Sequence, residues 1–366
     1  MSAEAAAGTG ALLDPVALGD LALRNRIVMA PMTRNRAGAG DAPGELATAY
    51  YGARAGAGLI ITEGTQPSKH GKGYARTPGL YTAAQLEGWR RVTAAVHAAG
   101  GTIVLQMMHC GRIASHHNKD ADARTVAPSA VRASGRMFTD AAGLVEFDTP
   151  EELSLEGIQA TIGEYAQSAR AAQLAGFDGV ELHAASGYLP MQFLSTGTNQ
   201  RHDAYGGSLH RRLRFTVEVL ETLSEVWGPE RIGLRICPGN PFNDLHDENP
   251  VQTYEALLQA ISAMGLAYLH VIRSPRAGID AFALAQACFP GPRILNDGFD
   301  FATGDAAVAA GAAAAISYAR SFIANPDLVV RYARGLPLAH FDRKTLYTPG
   351  AEGYTSYPAY AERNRP

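Results

Sequence analysis

Eight short segments of this chain are apolar almost without interruption, and they recur in step with longer stretches of helical periodicity. They are RIVMAPM (26–32), GLIITEG (58–64), TIVLQMMH (102–109), GVELHAA (179–185), RIGLRICP (231–238), YLHVIR (268–273), RILND (293–297) and AAISYAR (314–320). A strand wetted on one face alternates apolar and polar residues, whereas a strand covered on both faces does not. These runs therefore read as parallel strands buried on both sides. Between them, AQLEGWRRVTAAVHAAG (84–100) puts Leu86, Trp89, Val92, Ala95 and Val96 at helical spacing and closes on Gly. The segment 154–176 opens with Ser154 as a cap three residues before Gly157, with Glu156 in its first turn. The segments 208–228 and 253–265 behave alike. Eight βα units in series predict an α/β fold, a closed (β/α)8 TIM barrel. The competing open, doubly wound sheet would carry a GxGxxG turn after an early strand, and none is present.

A length of 366 residues suggests two domains, but a barrel with insertions reaches it as one. The organisation expected is a disordered Ala/Gly-rich leader (1–10) and one domain over 11–366 with an N-terminal hairpin. The stretch 110–152 after the third strand is too long for a plain loop and is expected to form a lid or small subdomain. The Gly/Pro/Tyr-rich end, 347–366, is expected to pack across a barrel face without a helix. A formal net charge of −3 gives no basic excess for nucleic acid or an anionic membrane. Cys110, Cys237 and Cys288 lie far apart, with neither a disulfide framework nor a CxxC metal spacing, as in a reducing cytoplasm. The N-terminus lacks the basic and apolar regions of a secretory signal, and no apolar run is long enough to span a membrane.

In a barrel of this kind the chemistry lies at the C-terminal ends of the strands. Strand one delivers Thr33 after Ala30, Pro31 and Met32; strand two, Gly64 beside Glu63; strand three, Gln106 and His109. Strand four delivers His183, Ser186 and Tyr188, and strand five Arg235. Strands seven and eight end in Asn296-Asp297-Gly298 and Ala319-Arg320. Taken singly, each is compatible with a satisfied interior polar group. His116 and His117 read as a solvated surface pair, and Tyr74, Tyr81 and Tyr354 as wall packing. Convergence decides otherwise, because seven of eight strand ends bring hydrogen-bonding groups to one mouth. Phosphate in barrels is commonly held by the loops after strands seven and eight, and here these offer backbone amides near Gly298 and the cationic fork of Arg320. Gln106, Thr33 and Arg235 suit a flat heteroaromatic ring, and a cation beside such a ring favours its anionic reduced form. The residues alone thus reach a phosphorylated ring cofactor without choosing among the possible ones.

The motifs APMTRNRA (30–37), KGYARTPGL (72–80), QMMHCGR (106–112), GFDGVELHAASGYLPMQFLS (176–195), TNQRHDAYGGSLHRRLRF (198–215), RSFIANPDLV (320–329) and GAEGYTSYP (350–358) together resemble the old yellow enzyme family over nearly the whole chain. They are most similar to its bacterial branch of pentaerythritol tetranitrate and N-ethylmaleimide reductases. The resemblance implies an FMN-containing barrel that reduces activated carbon–carbon double bonds with NADPH or NADH. It implies that Ala30, Pro31, Met32, Thr33, Gly64, Gln106, His183 and Arg235 line the flavin and that Asp297, Gly298, Ala319 and Arg320 cradle its phosphate. His183, with Ser186, would donate to the oxygen of an unsaturated carbonyl or nitro substrate. Tyr188 would protonate the alkene carbon, and Tyr74, Met108 and Tyr354 would line the substrate pocket. A shared flavin face implies ping-pong kinetics, and the family implies a monomer or homodimer.

Three positions depart from the pattern. Ser186 stands where the family has His or Asn and reaches less far. Met108 replaces an aromatic residue and opens the pocket's side. Asp297 and Ala319 replace glycines, so the Asp297 carboxylate is expected to turn away from the phosphate. Ser186 leaves open a specialised flavoprotein reductase or isomerase of a bulky biosynthetic substrate, and a non-catalytic flavin-binding barrel is the third reading.

Overall fold

The computed structural model describes residues 10–363, so the leader expected over 1–10 lies, Gly10 apart, outside the described residues. Strands β1 (Ile27–Met29), β2 (Leu59–Ile61), β3 (Ile103–Met107), β4 (Gly179–Ala184), β5 (Ile232–Ile236), β6 (Tyr268–Ile272), β7 (Arg293–Asn296) and β8 (Ala315–Tyr318) form a closed parallel barrel. Closure is made by β8 on β1, with Ser317 opposite Val28. Each strand lies inside one of the eight apolar segments, and burial on both faces is the reason the segments lack alternation.

An antiparallel hairpin, Val16–Leu18 with Leu21–Leu23, precedes the barrel. It turns at Gly19, at φ +57°, where an added Cβ would lie 2.3 Å from the Glu230 carbonyl oxygen, so no larger residue fits. Leu18, Leu21 and Leu23 pack with the interior residues Val28, Leu59, Ile61 and Ile294. Each such burial contributes about 1.5–3 kcal/mol. The hairpin thus seals one end of the barrel with apolar side chains and leaves the polar strand ends at the other.

Polar side chains cap several of the surrounding helices. Thr82 and Gln85 form a reciprocal capping box at helix Ala83–Ala98. The Ser154 hydroxyl accepts the Gly157 amide at 3.1 Å to start helix Leu155–Leu174. Helix Leu209–Trp227 follows β4. Helix Pro250–Ile261 begins three residues earlier than its apolar spacing suggests, because Asn249 caps it and Pro250 suits the first turn.

Segment 110–152 contains a two-stranded hairpin, Arg136–Thr139 with Gly143–Glu146, and a short parallel pair, Val126–Ala127 with Glu151–Glu152. His116 and His117 are exposed there, and His116 bonds Asp148 at 2.9 Å. The tail is strapped to the barrel by two buried arginines. Arg36 donates to the carbonyls of Thr345, Leu346, Gly350 and Glu352, and Arg34 to those of Leu346 and Gly353. The tail is not free of helix, as its composition suggested: Tyr360–Arg363 forms one turn, begun where the Tyr360 amide donates to Asp327 at 2.7 Å. Cys110, Cys237 and Cys288 are free thiols. Among the described residues, no helix is long and apolar enough to cross a membrane.

Candidate active site

A cavity of about 1230 Å³ opens at the C-terminal ends of the strands. Pro31, Met32 and Thr33 after β1, Gln106 and Met108 at β3, and His183, Ser186 and Tyr188 at β4 line it. Arg235 of β5, Ala319 and Arg320 after β8, and Tyr74 complete the set brought together from the sequence. Ala30 and Gly64 are buried beside this surface rather than on it; a Cβ on Gly64 would lie 2.4 Å from the Met108 sulfur.

Strand β4 breaks sharply after Ala184, and the break aims its side chains. Ser186 and Gly187 both take positive φ, +58° and +78°. Asn243 holds the turn by donating to the Ser186 carbonyl at 2.8 Å. The next residue, Tyr188, opens the short helix Leu189–Leu194. The His183 and Tyr188 rings meet edge to face at 4.9 Å.

The tautomer of His183 follows from its surroundings. The Ala185 amide donates to Nδ1 at 3.3 Å, so the ring hydrogen sits on Nε2. Burial, then Arg235 and His270, hold its pKa well below the ordinary imidazole value. His183 is therefore held as a neutral N–H donor. Tyr188 is pushed the other way: burial, then Tyr74 and Cys110, raise its pKa well above the ordinary phenol value. Its hydroxyl donates to the Tyr74 hydroxyl at 3.2 Å, and Tyr74 also bonds Asn243. The phenol keeps its proton until a strong base arrives.

Ser186 does not add a second free donor of the expected kind. Its amide donates to the Cys237 sulfur at 3.0 Å, and its hydroxyl bonds the same thiol. Burial pushes that thiol up to about 11 despite both bonds. Tyr354 is a second correction. Its ring stacks on Tyr50 at 4.1 Å, flanked by Arg34 and Arg36, and does not line the cavity. The tail strap buries it, and Tyr347 lines the cavity instead.

The third correction concerns Asp297. Its side chain does not turn away but pairs with Arg320 at 2.9 Å, on the cation expected to meet phosphate. Asp297 and Gly298 both hold positive φ, +75° and +79°, which explains why glycine suits both places. Arg273, absent from the sequence reading, also approaches: a Cβ on Gly298 would lie 3.1 Å from one of its terminal nitrogens. Were these loops to hold the phosphate expected from the sequence, Asp297→Gly would remove an anion beside it and free the Arg320 fork. We expect it to tighten FMN binding up to about fivefold, the scale of an exposed charge pair, in a fluorescence-quenching titration of apoprotein. Weaker binding would instead give the carboxylate a positioning role.

Sequence reasoning also missed Asn243 and Phe242, which follow β5 in the turn-forming run PGNPFND, and Met137, Phe138 and Phe147 of the inserted segment. The turn residues after β5 were the available signal for the first two. Nothing local marks the others, because their placement depends on how the insertion folds back.

The donors present fit an acceptor-rich ring. Arg235 is buried and gives one terminal nitrogen to Asn296 at 2.8 Å. Its Nε and other terminal nitrogen have no protein partner, a costly state for a buried cation. Facing the same cavity, Thr33 and Gln106 add two more polar groups. Such a barrel, with a buried cation, an imidazole donor and a protonated phenol around one cavity, defines a site that can hold an acceptor-rich ring and donate hydrogen bonds and a proton beside it.

Comparison with known proteins makes the class specific. The model of the NADH:flavin oxidoreductase / NADH oxidase family matches residues 11–339, and the chain belongs to that family, which includes the old yellow enzymes. It is 40% identical to a probable flavin mononucleotide-dependent alkene reductase of Leishmania infantum, over 95% of this chain and 97% of that one. It is 37% identical to 12-oxophytodienoate reductase 1 of Oryza sativa subsp. japonica, over 98% and 95%. Among solved structures, morphinone reductase matches with a TM-score of 0.91 and 40% identity, covering 99% of each chain. The old yellow enzyme homologue of Zymomonas mobilis matches at 0.91 and 37%, covering 95% of this chain and 99% of that one.

Proposed function

We propose that this flavin oxidoreductase binds FMN, takes reducing equivalents from NADPH or NADH, and reduces the C=C bond of α,β-unsaturated carbonyl or nitro compounds. The observation that carries the reading is the pairing of the His183 Nε2–H donor with the Tyr188 phenol across one cavity, beside the unpartnered nitrogens of Arg235. FMN, when bound, supplies the hydride. Thr33, Gln106 and Arg235 would hold its ring, and Arg320 with the amides near Gly298 its phosphate.

The protein's own groups complete the reaction. His183 donates to the substrate oxygen, on which negative charge grows, and a fixed donor there costs no reorganisation. Tyr188 then gives its proton to the α-carbon, basic enough in an enolate to take it. The raised pKa of Tyr188 keeps that proton available across the neutral range. Tyr74, already bonded to Tyr188, is placed to donate to the phenolate left behind. One cavity for both substrates supports a ping-pong order, and free thiols support a reducing cytoplasm.

A second reading rests on the cavity's rim, where Phe138 and Phe242 are more than half exposed. An apolar rim favours a bulky substrate, with Ser186 tied back to Cys237 to leave room. Anaerobic stopped-flow at the oxidised-flavin band separates the two. NADPH or NADH is expected to bleach the band, and small enones, maleimides or nitroalkenes to restore it within a turnover. Restoration only by multi-ring enones selects the second reading. Failure to bind FMN at all would sink both.

A further inference from the structure

One interior layer of the barrel is polar where such layers are usually Val, Ile or Leu. Glu181 on β4, His270 on β6 and Ser317 on β8 come from the even-numbered strands, whose side chains share layers. None of the three is more than 2% exposed. The Glu181 carboxylate accepts from His270 Nδ1 at 2.9 Å, and His270 Nε2 meets the Ser317 hydroxyl at 2.8 Å. The other carboxylate oxygen accepts from Gln106 Nε2 at 2.8 Å. None of the three lines the cavity, but Gln106 does.

A buried carboxylate is expensive to keep, and an apolar pair of similar volume is often as stable. Glu181 is therefore poorly explained by stability alone. Its burial would raise its pKa, but His270, Arg235 and Gln106 more than offset that, so it stays ionised. Burial, then Arg235, pushes His270 below the ordinary imidazole value, although the Glu181 carboxylate opposes this. The Glu181 carboxylate thus sits directly behind the cavity groups Gln106 and Arg235.

We propose that Glu181 tunes the reduction potential of the bound flavin, cancelling part of the charge that Arg235 presents to the ring and locking the amide of Gln106 in one orientation. The proposal rests on the flavin reading above. The sign is fixed by charge: the anionic reduced ring is favoured by Arg235 and disfavoured by Glu181. Holding the potential down makes the reduced cofactor a stronger hydride donor. A unit charge one side-chain layer away, screened by an effective dielectric of about 20, shifts such an equilibrium by roughly tenfold or more.

The test is the flavin midpoint potential, read from dye-coupled spectral titration of FMN-loaded wild type, Glu181→Gln and Glu181→Asp. Glu181→Gln should shift the reduced-to-oxidised ratio at fixed solution potential at least tenfold toward reduced, about 30 mV for a two-electron couple. Glu181→Asp, which keeps the charge, should stay within about threefold of wild type. Should Glu181→Gln not fold, the double variant Glu181→Leu/His270→Leu removes the same charge and should give the same shift. An unchanged potential in a fully loaded charge-neutral variant overturns the proposal, as does an equal shift in Glu181→Asp. A wild type that takes up no FMN overturns the flavin reading itself, a distinct outcome.

Discussion

Replacing Tyr188 by Phe slows the reoxidation of reduced enzyme by an enone by roughly 10²–10⁴, the usual worth of a positioned general acid. Reduction by NADPH changes by no more than about twofold, since that half-reaction needs no proton from the phenol. The asymmetry is what assigns the role. Tyr188 is buried against His183 and Tyr74, so a residue that merely packed would, when trimmed by one oxygen, disturb both half-reactions alike. Single-turnover stopped-flow on each half-reaction measures the two rates separately. Equal losses would remove Tyr188 from the proton-transfer step. Tyr74→Phe should show the same asymmetry at smaller scale, because it deprives the phenolate of one hydrogen bond, worth about tenfold.

The barrel was legible because its strands obey a strong rule: burial on both faces erases alternation, and all eight apolar runs became strands. The strand-end chemistry was legible for a related reason, since a parallel barrel sends every strand's C-terminal residue to one rim. Thr33, Gln106, His183, Tyr188 and Arg235 were therefore placed on the cavity by topology alone. What topology cannot place is a residue whose position depends on another segment's path. Tyr354 looked like a wall, but Arg34 and Arg36 draw the tail down by its carbonyls and stack the ring against Tyr50. Asp297 was expected to turn away from a phosphate, yet its nearest cation is Arg320, and opposite charges on adjacent loops meet. The Glu181–His270 pair was hidden because both residues sit inside apolar runs, where a single Glu or His gives no sign of its partner three-dimensionally across the barrel.

The difference between His183 and Ser186 should be larger than their shared place in one motif suggests. His183→Ala is expected to lower kcat and kcat/KM for enone reduction together by roughly 10²–10³, the effect of losing one preorganised donor to a developing oxyanion. Ser186→Ala should cost no more than about threefold, since a hydroxyl already bonded to a thiol gives up only part of one hydrogen bond's worth. The reason is visible in the donors' other commitments. His183 has its Nδ1 occupied by the Ala185 amide, which forces the free hydrogen onto Nε2 and leaves it for the ligand. Ser186 has spent both its amide and its hydroxyl on Cys237, behind the turn. Steady-state kinetics of both variants with one small enone decides the matter. A Ser186→Ala loss as large as that of His183→Ala would mean that the hydroxyl leaves Cys237 when substrate binds, and that the oxyanion has two protein donors rather than one.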